Sequence, residues 1–448
     1  MIQPINWHQF GLKKNPYDTR PLVEGDALPL EKAFIGRKRE CQFLDAQFQS
    51  ADRLCMAVCG NTGVGKTSLI NYYKYRAKQK SHRPLFSFRR EIEANEYILN
   101  KTNFLIEIIG SVLQEIQLLD PSIMKDPLMK RLRRMVDMTQ PISFGGGVSL
   151  FHANAHVERG GNLDGPLHVS IATIEHYFYS LISFIRTHKI AKRRYNGLIV
   201  HINNLDILLS HALTTKLVMH FLQEMRDILQ TSHVYFFFLG PTTLFQFVYS
   251  EPRIHSAFCH SPLLLEPLTK KDIVHALNER MRLLQSDDVK QYIKPFEDRV
   301  IYSLYALYEG DLRSIMSALN DILSQCEGPI HNTLTSQNAM WLLGKERWSR
   351  IEHTIRFTKK RKEFLLYLIH QGGLVHYDQI IHQFQTTPAN ASAYYIQPFR
   401  EVGILTMNEY SNKKWITLTA EYSPLMLWAQ SKSIEELFKK SQRQPIHV

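Results

Sequence analysis

The sequence predicts an α/β protein: a parallel sheet covered on both faces by helices, then an all-helical segment and a small helix-and-strand module. Three observations carry that prediction. Short runs rich in Val, Ile, Leu and Phe at 54–59, 85–88, 198–202, 234–239 and 263–265 alternate with helical segments, as buried strands of a parallel sheet do. The first run leads directly into a glycine-rich loop of fixed spacing and then a helix. Residues 359–419 read as three helices followed by two strands.

Along the chain, residues 1–50 form an N-terminal strap, irregular and punctuated by proline and glycine, ending in a helix over 37–48. Residues 51–266 are the sheet-bearing core, interrupted by a long insertion at 90–195. The insertion holds helices at 103–118, 128–138 and 170–188, and a glycine-rich stretch at 143–161 that is either a hairpin or a mobile loop. Residues 267–345 are helical, broken near Asp287, Glu309-Gly310 and Gly328-Pro329; residues 346–430 form the terminal module and 431–448 a tail.

Composition bounds the function. The 448 residues carry 54 Lys and Arg against 42 Asp and Glu, a formal net charge of +12, which suggests an anionic partner. With 44% hydrophobic and 21% charged residues, global disorder is excluded. The five cysteines are too scattered for a disulfide framework or a zinc site, and a reducing compartment is the natural reading. No apolar run approaches a membrane span, and the N-terminus lacks the basic-then-apolar order of a signal peptide. A cytoplasmic protein is expected, nucleoid-associated if it binds DNA. His152 and His156 lack a third ligand at zinc-enzyme spacing. Cys55 and Cys59 read as small core hydrophobes.

The segment Gly60-Asn61-Thr62-Gly63-Val64-Gly65-Lys66-Thr67 satisfies GxxxxGK[ST] between a strand and a helix. Its glycines let backbone N–H groups turn inward around phosphate oxygens. The helix that Lys66 to Ser68 opens adds partial positive charge. Lys66 reaches the β- and γ-phosphates, and Thr67 offers its hydroxyl to Mg²⁺. A nucleoside-triphosphate site with ATP and Mg²⁺ is expected here.

The strand at 198–202 ends in Asn203-Asn204-Leu205-Asp206. In an ATPase of this kind that end carries a carboxylate that holds Mg²⁺ through water, often followed by one that polarises the attacking water. An amide holds no charge and accepts no proton. Asn203 is left as the weak metal-side group, and Asp206 either turns toward the magnesium or caps the next helix. The expectation is nucleotide binding with slow, conditional or absent hydrolysis.

With these motifs in place the chain resembles the AAA+ ATPases, within them the origin-recognition/initiator-like branch and its bacterial relatives, over residues 30–430. Phe34-Ile35-Gly36-Arg37 resembles the segment that packs on adenine, so Ile35, Gly36 and Arg37 are expected on the nucleotide. Asn203-Asn204-Leu205-Asp206 stands where the branch has D-E-x-D. Thr242, after Gly240-Pro241, stands at the sensor-1 position. Ser250–Phe258 resembles the stretch that carries an arginine finger, which makes Arg253 either that finger for a neighbouring subunit or an exposed loop arginine. Glu309-Gly310-Asp311-Leu312-Arg313 resembles the lid motif in which Arg313 is sensor 2. The resemblance implies a three-layer αβα core, a helical lid, a winged helix and a homo- or hetero-oligomer.

In the terminal module the third helix, 390–402, occupies the recognition position and a turn at 412–414 the wing. The phosphate-facing candidates are Lys359, Lys360, Arg361, Lys362, Arg400, Lys413 and Lys414. A second basic run, Lys125 to Arg134, is either a phosphate-tracking surface or a solvated helix face. Three functions follow: an ATP-dependent switch on double-stranded DNA, a regulatory ATPase of a mobile-element or defence system whose winged helix grips a protein, or a non-hydrolysing oligomeric scaffold.

Overall fold

The computed structural model describes residues 5–139, 169–259, 261–326, 333–410 and 413–430. The glycine-rich stretch at 143–161, with His152 and His156, and the tail 431–448 lie outside the described residues. The chain divides into two units: residues 22–24 with 37–266, and residues 1–21 with 25–36 and 267–448.

The first unit is built on strands β1 (Leu54–Cys59), β2 (Phe86–Ser87), β3 (Ile92–Glu93), β4 (Leu198–Asn203), β5 (Val234–Gly240) and β6 (Leu263–Leu264). Every residue of β1, β4 and β5 is buried, which is why these strands read as unbroken apolar runs rather than alternations. They pair in the order β2–β4–β5–β1–β6, all parallel, with β3 also on β4. In register, Cys59 lies opposite Gly240 and Ile202 opposite Phe238. The carboxyl ends of β1, β4 and β5 therefore share one edge, where ligands of parallel sheets bind.

Helices α1 (Lys38–Ser50), α2 (Lys66–Gln79), α3 (Lys101–Leu119), α4 (Pro127–Thr139), α5 (Ile171–Thr187), α6 (Ala212–Glu224) and α7 (Thr242–Ser250) belong to the same unit. α4 buries Met129, Leu132, Met135 and Val136, and its basic run points to solvent at Lys130, Arg131 and Arg134.

In the second unit α8 (Lys270–Leu283), α9 (Asp298–Leu307), α10 (Leu312–Ser324) and α11 (Ser336–Thr354) surround one core. The strap packs on it: Arg280 donates to the Asp18 carbonyl (2.8 Å) and Asn320 to that of Tyr17 (2.9 Å). α11 continues into the terminal module, where buried Arg347 pairs with Asp321 and Glu346, and Arg350 with Asp321 and Glu421.

That module holds α12 (Lys359–His370), α13 (Tyr377–Gln383) and a third helix, with strands β7 (Leu374–His376), β8 (Leu405–Tyr410) and β9 (Lys413–Leu418) in the order β8–β9–β7. This is the arrangement of a winged helix. β7 was not expected from the sequence; it is too short to show periodicity. Lys413 and Lys414 do not sit in a turn, as the sequence suggested, but open β9 opposite Tyr410 and Glu409. The third helix runs through Pro388–Asn390, a π-helical stretch Ala391–Ile396, and Gln397–Glu401. Pro398 explains the irregularity: it has no N–H for the Tyr394 carbonyl, which instead accepts from Arg361 Nε (3.1 Å).

Candidate functional site

At the carboxyl end of β1 the chain turns at Gly60. A side chain there would place its Cβ 2.6 Å from the Leu265 carbonyl oxygen, so the close approach of backbone requires glycine. Gly65, at φ 93°, hands the loop to α2, a left-handed entry that suits a residue without Cβ. The loop thus leads into the N-terminus of α2, the end of a helix that favours an anion.

Lys66 is 7% exposed. Its ammonium donates to the carbonyls of Gly60 (2.7 Å) and Asn61 (3.1 Å) and lies 3.4 Å from Asp206 Oδ1. Asn61 and Thr62 are exposed at the rim, Gly63 and Thr67 half-buried, and Val64 buried. The Ser68 hydroxyl accepts from the Leu22 N–H (3.2 Å), and Asn71 donates to the Leu22 carbonyl (3.1 Å). Leu22 thus ties down the first turns of α2.

Arg37 has a role that the sequence alone did not suggest. Its buried guanidinium donates to the carbonyls of Val64 (2.8 Å) and Glu266 (2.7 Å) and pairs with Glu40 (2.7 Å). It therefore pins the back of the phosphate loop to the end of the edge strand. Ile35 and Gly36 belong to the other unit, where a Cβ at Gly36 would meet Leu268 at 2.9 Å.

β4 delivers Asn203 to the same edge, where its Nδ2 donates to the Thr67 hydroxyl (3.1 Å). Asn204 takes the left-handed conformation at φ 65°, which asparagine tolerates better than most residues. Asp206 makes no cap to the helix Leu205–Leu208, so the capping alternative does not hold; its carboxylate faces Lys66 instead. Two residues before Asn203, His201 is fully buried and burial holds its pKa well below the usual value, so it adds no charge. On α2, burial pulls the Lys74 ammonium down to about 8.

The donor set fits a triphosphate: the N-terminal end of α2, one buried ammonium and a glycine-rich loop around them. For Mg²⁺ the protein offers the Thr67 hydroxyl, with Asn203 beside it. Among the described residues no cluster of three or more His, Cys, Asp or Glu is placed to hold a metal alone. A cation here would depend on phosphate oxygens and water for most of its ligands.

The decisive feature is topological. The loop sits on β1, the polar strand end on β4, and β5 is inserted between them; a helical segment and a winged helix follow the core. The chain has the fold of an AAA+ ATPase. No family model matches the sequence. A curated relative, an uncharacterized HTH-type transcriptional regulator of Methanocaldococcus jannaschii, is 26% identical over 156 residues, 34% of this chain and 35% of the relative. The match therefore spans about a third of that protein's length. Among solved structures, the Aeropyrum pernix ORC1 protein in complex with DNA is similar over 92% of this chain and 97% of its own, at 14% identity and a TM-score of 0.46. The Aeropyrum pernix ORC2 protein is similar over 94% and 99%, at 14% identity and TM-score 0.43. Cdc6p of Pyrobaculum aerophilum is similar over 96% and 100%, at 13% identity and TM-score 0.38.

No contact of the remaining candidates with the loop is among those described, and Arg313 belongs to the other unit. Thr242 opens α7, exposed, and Arg253 is exposed on the short helix Pro252–His255. Arg313 is exposed on the first turn of α10, whose cap Asp311 accepts from the N–H groups of Arg313 and Ser314. The preceding Gly310, at φ 80°, could carry no side chain without meeting Pro267 at 2.7 Å.

In the winged helix, Lys359, Lys360, Arg400, Lys413 and Lys414 are exposed. Lys362 lies over the Trp348 ring and 3.7 Å from Glu352. Arg361 is engaged by its own module: besides the Tyr394 carbonyl, it donates to the Arg356 carbonyl (2.9 Å) and stacks over the Tyr394 ring at 4.8 Å.

Proposed function

We propose that this chain binds ATP with Mg²⁺ in the loop at 60–67 and uses the bound nucleotide as a switch, with slow or conditional hydrolysis, to control its assembly and its engagement of double-stranded DNA. The observation that carries the proposal is the contact at the sheet edge. An intact phosphate loop faces an amide, Asn203 on Thr67 (3.1 Å), where charge and a proton acceptor would be needed for fast turnover. Mg²⁺, when bound, neutralises charge on the β- and γ-phosphate oxygens. Lys66 provides the fixed positive charge, Arg37 holds the loop in shape, and Asp206 sets the local charge balance. Arg313 is assigned to sensing the nucleotide and Arg253 to a neighbouring subunit's nucleotide. The relative named as an HTH-type regulator supports a DNA role, for which the exposed Lys359, Lys360, Arg400, Lys413 and Lys414 are the candidates, and which would place the protein in the cytoplasm with the nucleoid.

A second reading, a winged helix that grips a protein, is favoured by the internal use of Arg361 and the low charge of the third helix. Duplex affinity as a function of salt separates the two. Binding through several phosphates falls log-linearly with salt, and a protein interface does not follow that law. The test of the whole proposal is Lys66→Ala: ATP affinity and the ATP dependence of duplex binding should both be lost. Unchanged affinities for both ligands would refute it.

A further inference from the structure

We infer that Glu93 is the carboxylate that accepts the proton of the attacking water, replacing the acid that the end of β4 lacks. This rests on the nucleotide-binding reading above and extends it to a named base.

β3 is only two residues long, yet its register is unambiguous. Ile92 pairs with Ile202 and Glu93 with Asn203, and the Ala94 N–H donates to the Asn203 carbonyl (2.9 Å). Adjacent strands lie about 4.8 Å apart, and residues in parallel register carry their side chains on the same face. The Asn203 side chain faces α2, as its contact with Thr67 shows. Glu93 therefore presents its carboxylate on that face, at the same carboxyl edge, one strand further from the loop. Ile92 is buried and anchors the strand, whereas Glu93 is exposed. An exposed carboxylate at this edge of the sheet is accessible to water.

Asp206 is less suited to the task. Its carboxylate is already engaged, 3.4 Å from the Lys66 ammonium on the loop itself. Asn203 and Asn204 accept no proton.

The step balances without any further reagent. The water oxygen bonds to the γ-phosphorus and its proton passes to Glu93. The bond from the γ-phosphorus to the β,γ-bridging oxygen breaks, and that oxygen leaves on ADP with the electron pair. The proton on Glu93 is then released to solvent.

The test is single-turnover cleavage of radiolabelled ATP by the full chain, with and without duplex DNA, alongside a separate measurement of ATP affinity. Glu93→Gln should slow cleavage at least about 100-fold, the lower range for loss of a general base, with ATP affinity within about three-fold of wild type. Glu96→Gln, an exposed carboxylate beyond the strand, should cleave like wild type. Equal cleavage by Glu93→Gln and wild type overturns the assignment, as does an equal loss in Glu96→Gln. Wild type that binds ATP but never cleaves it, with or without DNA, overturns the assignment and leaves the binding reading standing. Wild type that binds no ATP overturns both.

Discussion

Replacing Asp206 with asparagine changes one charge at a position the structure defines closely. The carboxylate lies 3.4 Å from the Lys66 ammonium and is 31% exposed, against 7% for the lysine. At that separation the attraction is about 1 kcal/mol at the dielectric of water and about 5 kcal/mol at an effective constant of 20. Partial exposure favours the lower figure, about 1–2 kcal/mol. ATP must compete with Asp206 for Lys66, and its triphosphate is repelled by the same carboxylate. In the absence of divalent cation, Asp206→Asn should therefore bind ATP roughly ten-fold more tightly, since about 1.4 kcal/mol is a factor of ten. With Mg²⁺ present the gain should shrink, because Asp206 is then attracted to the cation. Titration of a fluorescent ATP analogue in chelator and in Mg²⁺ measures both numbers. Weaker metal-free binding by Asp206→Asn, or no change, would refute the view that this carboxylate opposes triphosphate binding.

Other perturbations follow from the same geometry. Arg37→Ala should weaken ATP binding by about ten-fold through loss of two charge-assisted hydrogen bonds to the loop and edge strand, and Arg37→Lys should not restore it, since an ammonium cannot reproduce the guanidinium fork; calorimetric titration reads both. Burial lowers the Lys74 pKa to about 8, so between about pH 8 and its unfolded value near 10.4 the unfolded chain binds more protons, and Lys74 makes stability rise with pH across that window. Thermal unfolding at pH 7 to 10 should show this rise flattened in Lys74→Met. Arg361→Gln should lower the unfolding temperature, by loss of its bond to Tyr394 and its stacking, while leaving the salt dependence of duplex binding unchanged. A reduced salt slope would instead place Arg361 on phosphate.

The parts of the fold that were legible in the sequence are those with redundant signals. β1, β4 and β5 are buried on both faces, so their composition alone marks them. The phosphate loop combines fixed residues with a flanking strand and helix. α12 appears with the predicted bounds, 359–370, because Thr358 caps it and Gly372-Gly373 follow it. What was not legible depends on pairing rather than composition. β3 and β7 are short segments that exist as strands only because β4 and β9 supply their partners. The hairpin that pairs Lys189–Ile190 with Arg193–Arg194 turns through Ala191 and Lys192, both at positive φ, without the Asn-Gly or Asp-Gly signal such turns usually carry. At the site, a sequence reading placed Lys66, Thr67 and Asn203 together, because motif order implies it. It did not show Arg37 holding Val64, Asp206 facing Lys66, or Glu93 beside Asn203, since each joins residues whose nearness is set by the folded sheet.

The central claim is that an intact triphosphate loop has been paired with a strand end that lacks acid. It is tested most directly by ATP turnover of wild type beside the double variant Asn203→Asp, Asn204→Glu, with and without duplex DNA. The account predicts slow turnover by wild type despite saturating ATP, and a marked increase when both carboxylates are supplied. Brisk hydrolysis by wild type, unimproved by the double substitution, would contradict it.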